Sequence, residues 1–308
     1  MKPRFTTLPE WLHWQEGLHP KKIDLGLERV ARVAVRMGVL DAGHTVISVA
    51  GTNGKGSSVA MLEAIYLAGG YRVGCYTSPH LQRYNERVRV NAGEVADEAL
   101  CTAFHAVDEG REGESLSYFE FGTLAALYIF KQTALDIVLL EVGLGGRLDA
   151  VNVVDPDVAL VTAIGIDHVR WLGNDREAVG REKAGIFRAG RPAVCSDPFP
   201  PSSLERVADE TGALWYCLNQ QFSYESRADS WQWYGPGRSY QDLPLPSLPG
   251  QHQIENACGV MMVLELLQQR FPVSQAAINT GLHTIALAAR FQVIPGAVET
   301  ILDVAHNP

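Results

Sequence analysis

The chain has 308 residues, 46% of them hydrophobic and 20% charged, with a formal net charge of −9. That length buries a large core in two domains or one large one, and the acidic balance argues against broad attraction to nucleic acid or to a membrane. Five widely spaced cysteines (Cys75, Cys101, Cys195, Cys217, Cys258) include no C-x-x-C pair, so they indicate neither a disulfide framework nor a zinc site. With no apolar signal core and no run of membrane-spanning length, a reducing cytoplasm is the expected home.

The first strong element is an apolar strand at 45–50. It empties into Gly51-Thr52-Asn53-Gly54-Lys55-Gly56-Ser57, and a helix is expected over 57–68. A glycine-rich turn between strand and helix presents backbone N–H groups to one point, and the helix N-terminus adds partial positive charge there. The ligand that fits best is a nucleoside triphosphate, with ATP the natural candidate. The usual phosphate loop reads G-x-x-x-x-G-K-[ST]. Here Val49 stands where the first glycine belongs and Gly56 follows the lysine, so the metal-binding hydroxyl is displaced to Ser57. Phosphate cradling survives both changes, but the metal calls for another oxygen. The plainer alternative is an ordinary tight turn.

Downstream, apolar runs at 72–77, 136–142, 158–164 and 192–196 alternate with helical stretches at 96–109, 119–132 and 204–211. Most runs are continuously apolar, as parallel strands covered on both faces should be. The pattern predicts an α/β fold with a doubly wound, mostly parallel sheet, and ligands beyond the carboxyl ends of its strands. Residues 218–250 are rich in Ser, Tyr, Trp, Pro and Gly and read as a small antiparallel excursion or long loop. A helix resumes near 253 and runs to about 269. A last strand at 298–304 begins just before the chain stops at Pro308, so the expected organisation is an ATP-binding domain over 1–288 and, from 289, the cut start of another α/β domain.

Several loops beyond the strands carry chemistry: Thr77-Ser78-Pro79-His80-Leu81, the run from Glu141 through Gly143, Gly145 and Gly146 to Asp149, Gly165-Ile166-Asp167-His168, Arg181-Glu182-Lys183-Ala184-Gly185, and Asp303-Val304-Ala305-His306-Asn307-Pro308. Together with the phosphate loop they resemble the Mur ligase superfamily. With Ile23-Asp24-Leu25-Gly26 and Tyr118-Phe119-Glu120-Phe121-Gly122-Thr123 they resemble, more narrowly, the folylpolyglutamate synthases, and the tryptophan-containing stretch from His168 to Gly173 resembles the bacterial bifunctional dihydrofolate synthase/folylpolyglutamate synthases. The resemblance covers nearly the whole chain. It implies the Mur ligase central-domain fold, followed by the first strand of a Rossmann-like C-terminal domain. It also implies an ATP-dependent ligase that adds L-glutamate to dihydropteroate and to folates through an acyl phosphate, as a monomer with small-molecule partners and two Mg²⁺ sites.

Carried onto this sequence, the resemblance gives Gly51, Thr52, Asn53, Gly54, Lys55, Gly56, Ser57, Asn256, Arg290 and Asp303 to ATP, and Ser78, Glu141, His168 and Lys183 to metal, with Lys55, His168 and Lys183 serving catalysis. Lys183 would be carbamylated, since an ammonium repels Mg²⁺ whereas a carbamate offers oxygen. Tyr118, Phe119 and Arg83 would receive the pterin-bearing acid. Read without the resemblance, Glu141 could be a salt-bridge partner, His168 a general base, Ser78 a turn residue and Lys183 a solvated charge. Tyr118 and Phe119 could equally be core aromatics. The Pro-Gly that usually precedes the arginine is Ala288-Ala289 here, which unsettles the orientation of Arg290. Two narrower readings stand beside the bifunctional one: a synthase that only extends polyglutamate, and a nucleotide-binding fragment with negligible ligase activity. A phosphoryl-transfer switch or kinase is disfavoured by Gly56.

Overall fold

The computed structural model describes residues 3–21, 23–41, 43–288, 292–294 and 300–304, the side chains of 292–294 excepted. Two helices, α1 (Leu8–Glu16) and α2 (Glu28–Met37), precede β1 (Thr45–Ala50), which leads into α3 (Lys55–Ala68) and β2 (Val73–Tyr76). A short hairpin of β3 (Val88–Val90) and β4 (Gly93–Glu94) is followed by α4 (Asp97–Gly110), α5 (Tyr118–Gln132), β5 (Ile137–Glu141) and β6 (Val158–Val161). Next come the single turn α6 (Val169–Leu172), α7 (Arg176–Lys183), β7 (Pro192–Cys195), α8 (Ser202–Thr211) and β8 (Leu214–Cys217). The chain continues through β9 (Ser223–Ser226), β10 (Ser230–Tyr234), β11 (Ser239–Pro244), α9 (His252–Leu267), α10 (Gln275–Thr284), β12 (Gln292–Ile294) and β13 (Thr300–Leu302).

The main sheet runs β4-β3-β2-β5-β1-β6-β7-β8. It is parallel from β2 to β8, with β3 and β4 added antiparallel at one edge. Successive side chains on a strand point to opposite faces. Ile47, Val49, Ile137 and Leu139 therefore pack with residues of α3, α9 and α10, while Val138 and Leu140 enter the cluster formed with α1, α2, α4 and α5. Ala159, Val161, Ala193 and Cys195 face α7 and α8. Both faces are covered, which is why these strands lack polar alternation. The doubly wound parallel sheet expected from the sequence is thus the observed one.

Local sequence places the helices. Ser117 and Glu120 form a reciprocal cap on α5: the Glu120 amide donates to Ser117 Oγ at 3.4 Å, and the Ser117 amide donates to Glu120 Oε2 at 2.7 Å. The helix after the glycine-rich turn begins at Lys55, two residues before the expected start, so the lysine sits in its first turn. The excursion at 218–250 is a three-stranded antiparallel sheet, β11-β10-β9. Its Trp231 and Trp233 are buried, and Trp233 Nε1 donates to Cys258 O of α9 at 3.2 Å.

One expectation needs correction. Of the strand expected at 298–304 the described residues are 300–304; Thr300–Leu302 form a strand that pairs antiparallel with β12 in a separate two-stranded ribbon. Ile301 and Leu302 are exposed rather than buried. An apolar run suits a covered parallel strand, but an exposed ribbon uses the same residue types. Among the described residues, no helix is long and apolar enough to cross a membrane.

Candidate active site

A cavity of about 800 Å³ opens at the carboxyl ends of the parallel strands, and every residue from Gly51 to Ser57 lines it. The turn is anchored to the neighbouring strand. The Thr52 and Asn53 amides donate to Ala163 O at 2.8 and 3.3 Å, and Thr162 Oγ1 donates to Asn53 O at 2.6 Å. Two glycines are required by space and by backbone. Gly51 has φ +150° and Gly54 φ +90°. A Cβ on the first would collide with Thr162 Oγ1, and on the second with Asn256 Oδ1. The turn is therefore held between Thr162 and Ala163, just past β6, on one side and Asn256 of α9 on the other.

Two lysines converge on one carbonyl. Lys55 Nζ donates to Gly51 O at 3.0 Å and to Thr52 O at 3.1 Å, and Lys183 Nζ donates to Gly51 O at 2.8 Å. Lys183 stands at the end of α7 and is only 5% exposed. Burial, and then the neighbouring charge of Lys55, bring its amine down to about 7, against the opposing pull of Asp167 and Asp149. A buried amine near neutrality has a substantial population with a nucleophilic lone pair.

Glu141 ends β5 and is buried beside the loop. The Ser78 amide donates to its Oε2 at 3.2 Å, which brings the Ser78 side chain to the same wall of the cavity. The pairing of a carboxylate with a hydroxyl is a hard-oxygen donor set, and it fits Mg²⁺ or a similar divalent cation. Among the described residues no three His, Cys, Asp or Glu side chains form a ready-made metal cage. A cation that keeps water and phosphate oxygens in its shell needs none. His168 lines the cavity from the opposite loop, with a left-handed backbone (φ +49°) and a half-exposed ring whose Nε2 is 4.0 Å from Asp167 Oδ2.

Phe119, Ser117 and Asp149 line a second region of the cavity. Asp149 is fully enclosed. Its carboxylate accepts from the Leu144 amide at 2.8 Å and the Val151 amide at 3.0 Å, yet burial pushes it up to about 6. Tyr118 does not reach the lining; it packs edge-on to Tyr84 and under the Arg87 guanidinium. Arg83 lies outside the lining too, paired with Asp97 at 3.2 Å and Glu94 at 3.8 Å. Arg87 lines the cavity instead, its Nε donating to His80 Nδ1 at 2.7 Å and its guanidinium stacked on the Tyr84 and Tyr118 rings. Asn256 and Asp303 line the cavity as well, and Arg290 lies outside the described residues. Asp149 and Asp167 stand in motifs singled out from the sequence but carry no role there; both line the cavity, and the burial of Asp149 is what tells it from an ordinary turn residue.

Comparison with known proteins follows the same outline. The Mur ligase middle domain family matches residues 49–264. The dihydrofolate synthase/folylpolyglutamate synthase of Escherichia coli (strain K12) is 48% identical over 301 residues, covering 98% of this chain and 70% of that protein. A structure of E. coli FolC in complex with DHPP and ADP superposes with a TM-score of 0.94 at 47% identity, covering 100% of this chain and 73% of the other. A structure of a bifunctional folylpolyglutamate synthase/dihydrofolate synthase with Mn, AMPPNP and L-glutamate bound superposes with a TM-score of 0.91 at 47% identity, covering 98% and 72%.

Proposed function

Since the chain belongs to the dihydrofolate synthase/folylpolyglutamate synthase family of Mur ligases, we propose that the cavity built on Gly51–Ser57, Glu141 and Lys183 is the centre of an ATP-dependent glutamate ligase. The reaction joins L-glutamate to dihydropteroate and to folate glutamates. The observation that carries this assignment is the convergence of the phosphate loop, a buried carboxylate and a buried amine near neutrality in one cavity that also contains Phe119 and Asp149.

The loop amides and Lys55 hold the β- and γ-phosphates in line with the incoming acid. The acceptor carboxylate attacks the γ-phosphorus, the bond to the β-bridging oxygen breaks, and ADP departs. The glutamate amine then attacks the acyl phosphate carbon. Its proton is lost, and the tetrahedral adduct collapses to the amide with release of phosphate. Divalent cations at two sites, one at Ser78 and Glu141 and one at His168 and carbamylated Lys183, would supply the positive charge that so many phosphate oxygens require. Carbamylation itself needs only CO₂: the neutral Lys183 Nζ attacks its carbon, an N–C bond forms, and the displaced proton goes to water. Phe119 offers the pterin a stacking face, and Asp149 accepts from its N–H groups. Asn256 and Asp303 face the adenosine moiety, and Arg87 replaces Arg83 as the cation on the acceptor side.

Purified protein is assayed for ADP release with ATP, Mg²⁺, L-glutamate and one acceptor at a time. Release that requires both glutamate and acceptor supports the assignment. ADP release independent of glutamate would count against it, and turnover of folate glutamates without any turnover of dihydropteroate would restrict the chain to polyglutamate extension.

A further inference from the structure

A largely desolvated ion pair, Glu63 buried and Arg89 partly so, has no part in the chemistry above. Glu63 lies in α3, two turns beyond Lys55, and is buried. Arg89 of β3 reaches it across β2: its Nη2 donates to Glu63 Oε2 at 2.7 Å and its Nε at 3.2 Å. The same guanidinium also holds the end of β2. Its Nη1 donates to Thr77 Oγ1 at 3.3 Å and to Glu86 O at 3.4 Å.

Thr77 and Glu86 are the two ends of the loop that carries Ser78. That loop is closed on itself, because the Glu86 carboxylate accepts from the amides of Leu81, Gln82 and Arg83 at 2.6 to 2.8 Å. Its second half is thus folded back on Glu86, and Arg89 bonds both of its ends. Among the described residues Arg89 forms its ion pair with Glu63 of the phosphate-loop helix, and the charge of Glu141 also acts on it. A pair removed from water in this way is a weak source of stability, since desolvation offsets most of the attraction, but it fixes geometry.

We propose that the Glu63–Arg89 pair is a positioning device that locks the Ser78 loop to the phosphate-loop helix, so that the serine oxygen and the triphosphate are presented to the cation at a fixed separation. This rests on the reading of Ser78 as a metal ligand.

The test uses Glu63→Gln and Arg89→Lys, with Ser78→Ala as the reference. Three quantities are measured: Mn²⁺ affinity in the presence of AMPPNP by electron paramagnetic resonance, ADP affinity without metal, and amide hydrogen exchange over residues 77–86. All three variants are expected to bind Mn²⁺ at least fivefold more weakly, with metal-free ADP affinity within twofold of the parent. Glu63→Gln and Arg89→Lys, but not Ser78→Ala, also speed exchange across 77–86. A merely structural role would lower the melting temperature and leave Mn²⁺ affinity alone, and that result overturns the proposal. Wild-type Mn²⁺ affinity in Ser78→Ala removes the metal assignment and the coupling with it. Weakened affinity in Ser78→Ala alone removes only the coupling. Should Glu63→Gln not fold, Arg89→Lys decides by the same readings, because it keeps the charge but cannot span Glu63, Thr77 and Glu86 together.

Discussion

Replacing Lys183 with methionine should make the protein more stable and inactive. The side chain is buried, and its amine is brought from 10.5 to about 7. At about 1.4 kcal/mol per decade, burying the charged form costs roughly 5 kcal/mol. Half of the amine is neutral at pH 7, which leaves a penalty of about 4 kcal/mol. Methionine matches the volume and carries no charge, but it forfeits the bond to Gly51 O, worth about 1 kcal/mol. The expected gain at pH 7 is therefore about 3 kcal/mol. Between pH 7 and 10.5 the unfolded lysine binds a proton that the folded one does not, so the stability of the parent rises with pH across that window. The advantage of Lys183→Met accordingly shrinks to under about 1 kcal/mol by pH 9.5. Urea unfolding of both proteins in CO₂-free buffer at pH 7, 8 and 9.5 measures this directly. A gain that is absent at pH 7, or that persists undiminished at pH 9.5, would refute the claim that Lys183 is held near neutrality by its burial. The ligase reaction should fall by about a hundredfold or more in the same variant, which separates stability from function.

Other expected outcomes are narrower. Gly54→Ala, with φ +90° and a collision against Asn256 Oδ1, should abolish ADP binding in calorimetry at concentrations that saturate the parent. Arg87→Met should raise the acceptor KM by about tenfold while leaving ADP affinity unchanged, the scale of one lost charge-assisted hydrogen bond, whereas Arg83→Ala should change neither by more than about twofold. Asp149 is raised from 3.8 to about 6, so its unfolded form loses its proton first and folding stability falls as pH rises through that interval. Asp149→Asn should remove that fall, seen as a flatter melting temperature between pH 4 and 6.5. Withdrawing CO₂ and bicarbonate should lower activity reversibly, and returning bicarbonate should restore it; activity indifferent to CO₂ would argue against carbamylation of Lys183.

Much of this was legible before the structure was known, and for definite reasons. The strands at 45–50 and 136–142 are buried on both faces, so their composition alone declares a parallel sheet. The loop from Gly51 to Ser57 is legible because two of its glycines answer to local geometry, which a sequence records. What escaped was set by long-range placement. Arg83 and Arg87 carry the same charge four residues apart, and only the turn at 84–87 sends one to Asp97 and the other into the cavity. Asp149 looks like an ordinary turn residue until its enclosure is seen. β3 and β4 are too short for periodicity to mark, and the exposed ribbon at Thr300–Leu302 has the same apolar residues as a buried strand.

The contact between Gly54 and Asn256 joins positions about two hundred residues apart in the chain. During synthesis the glycine-rich turn leaves the ribosome long before its supporting asparagine does. Since Asn256 belongs to a helix that ends at Leu267, a growing polypeptide shorter than this lacks one wall of its nucleotide pocket. ATP affinity is in that sense a late property of biogenesis, acquired when a distant helix docks rather than when the motif itself is translated.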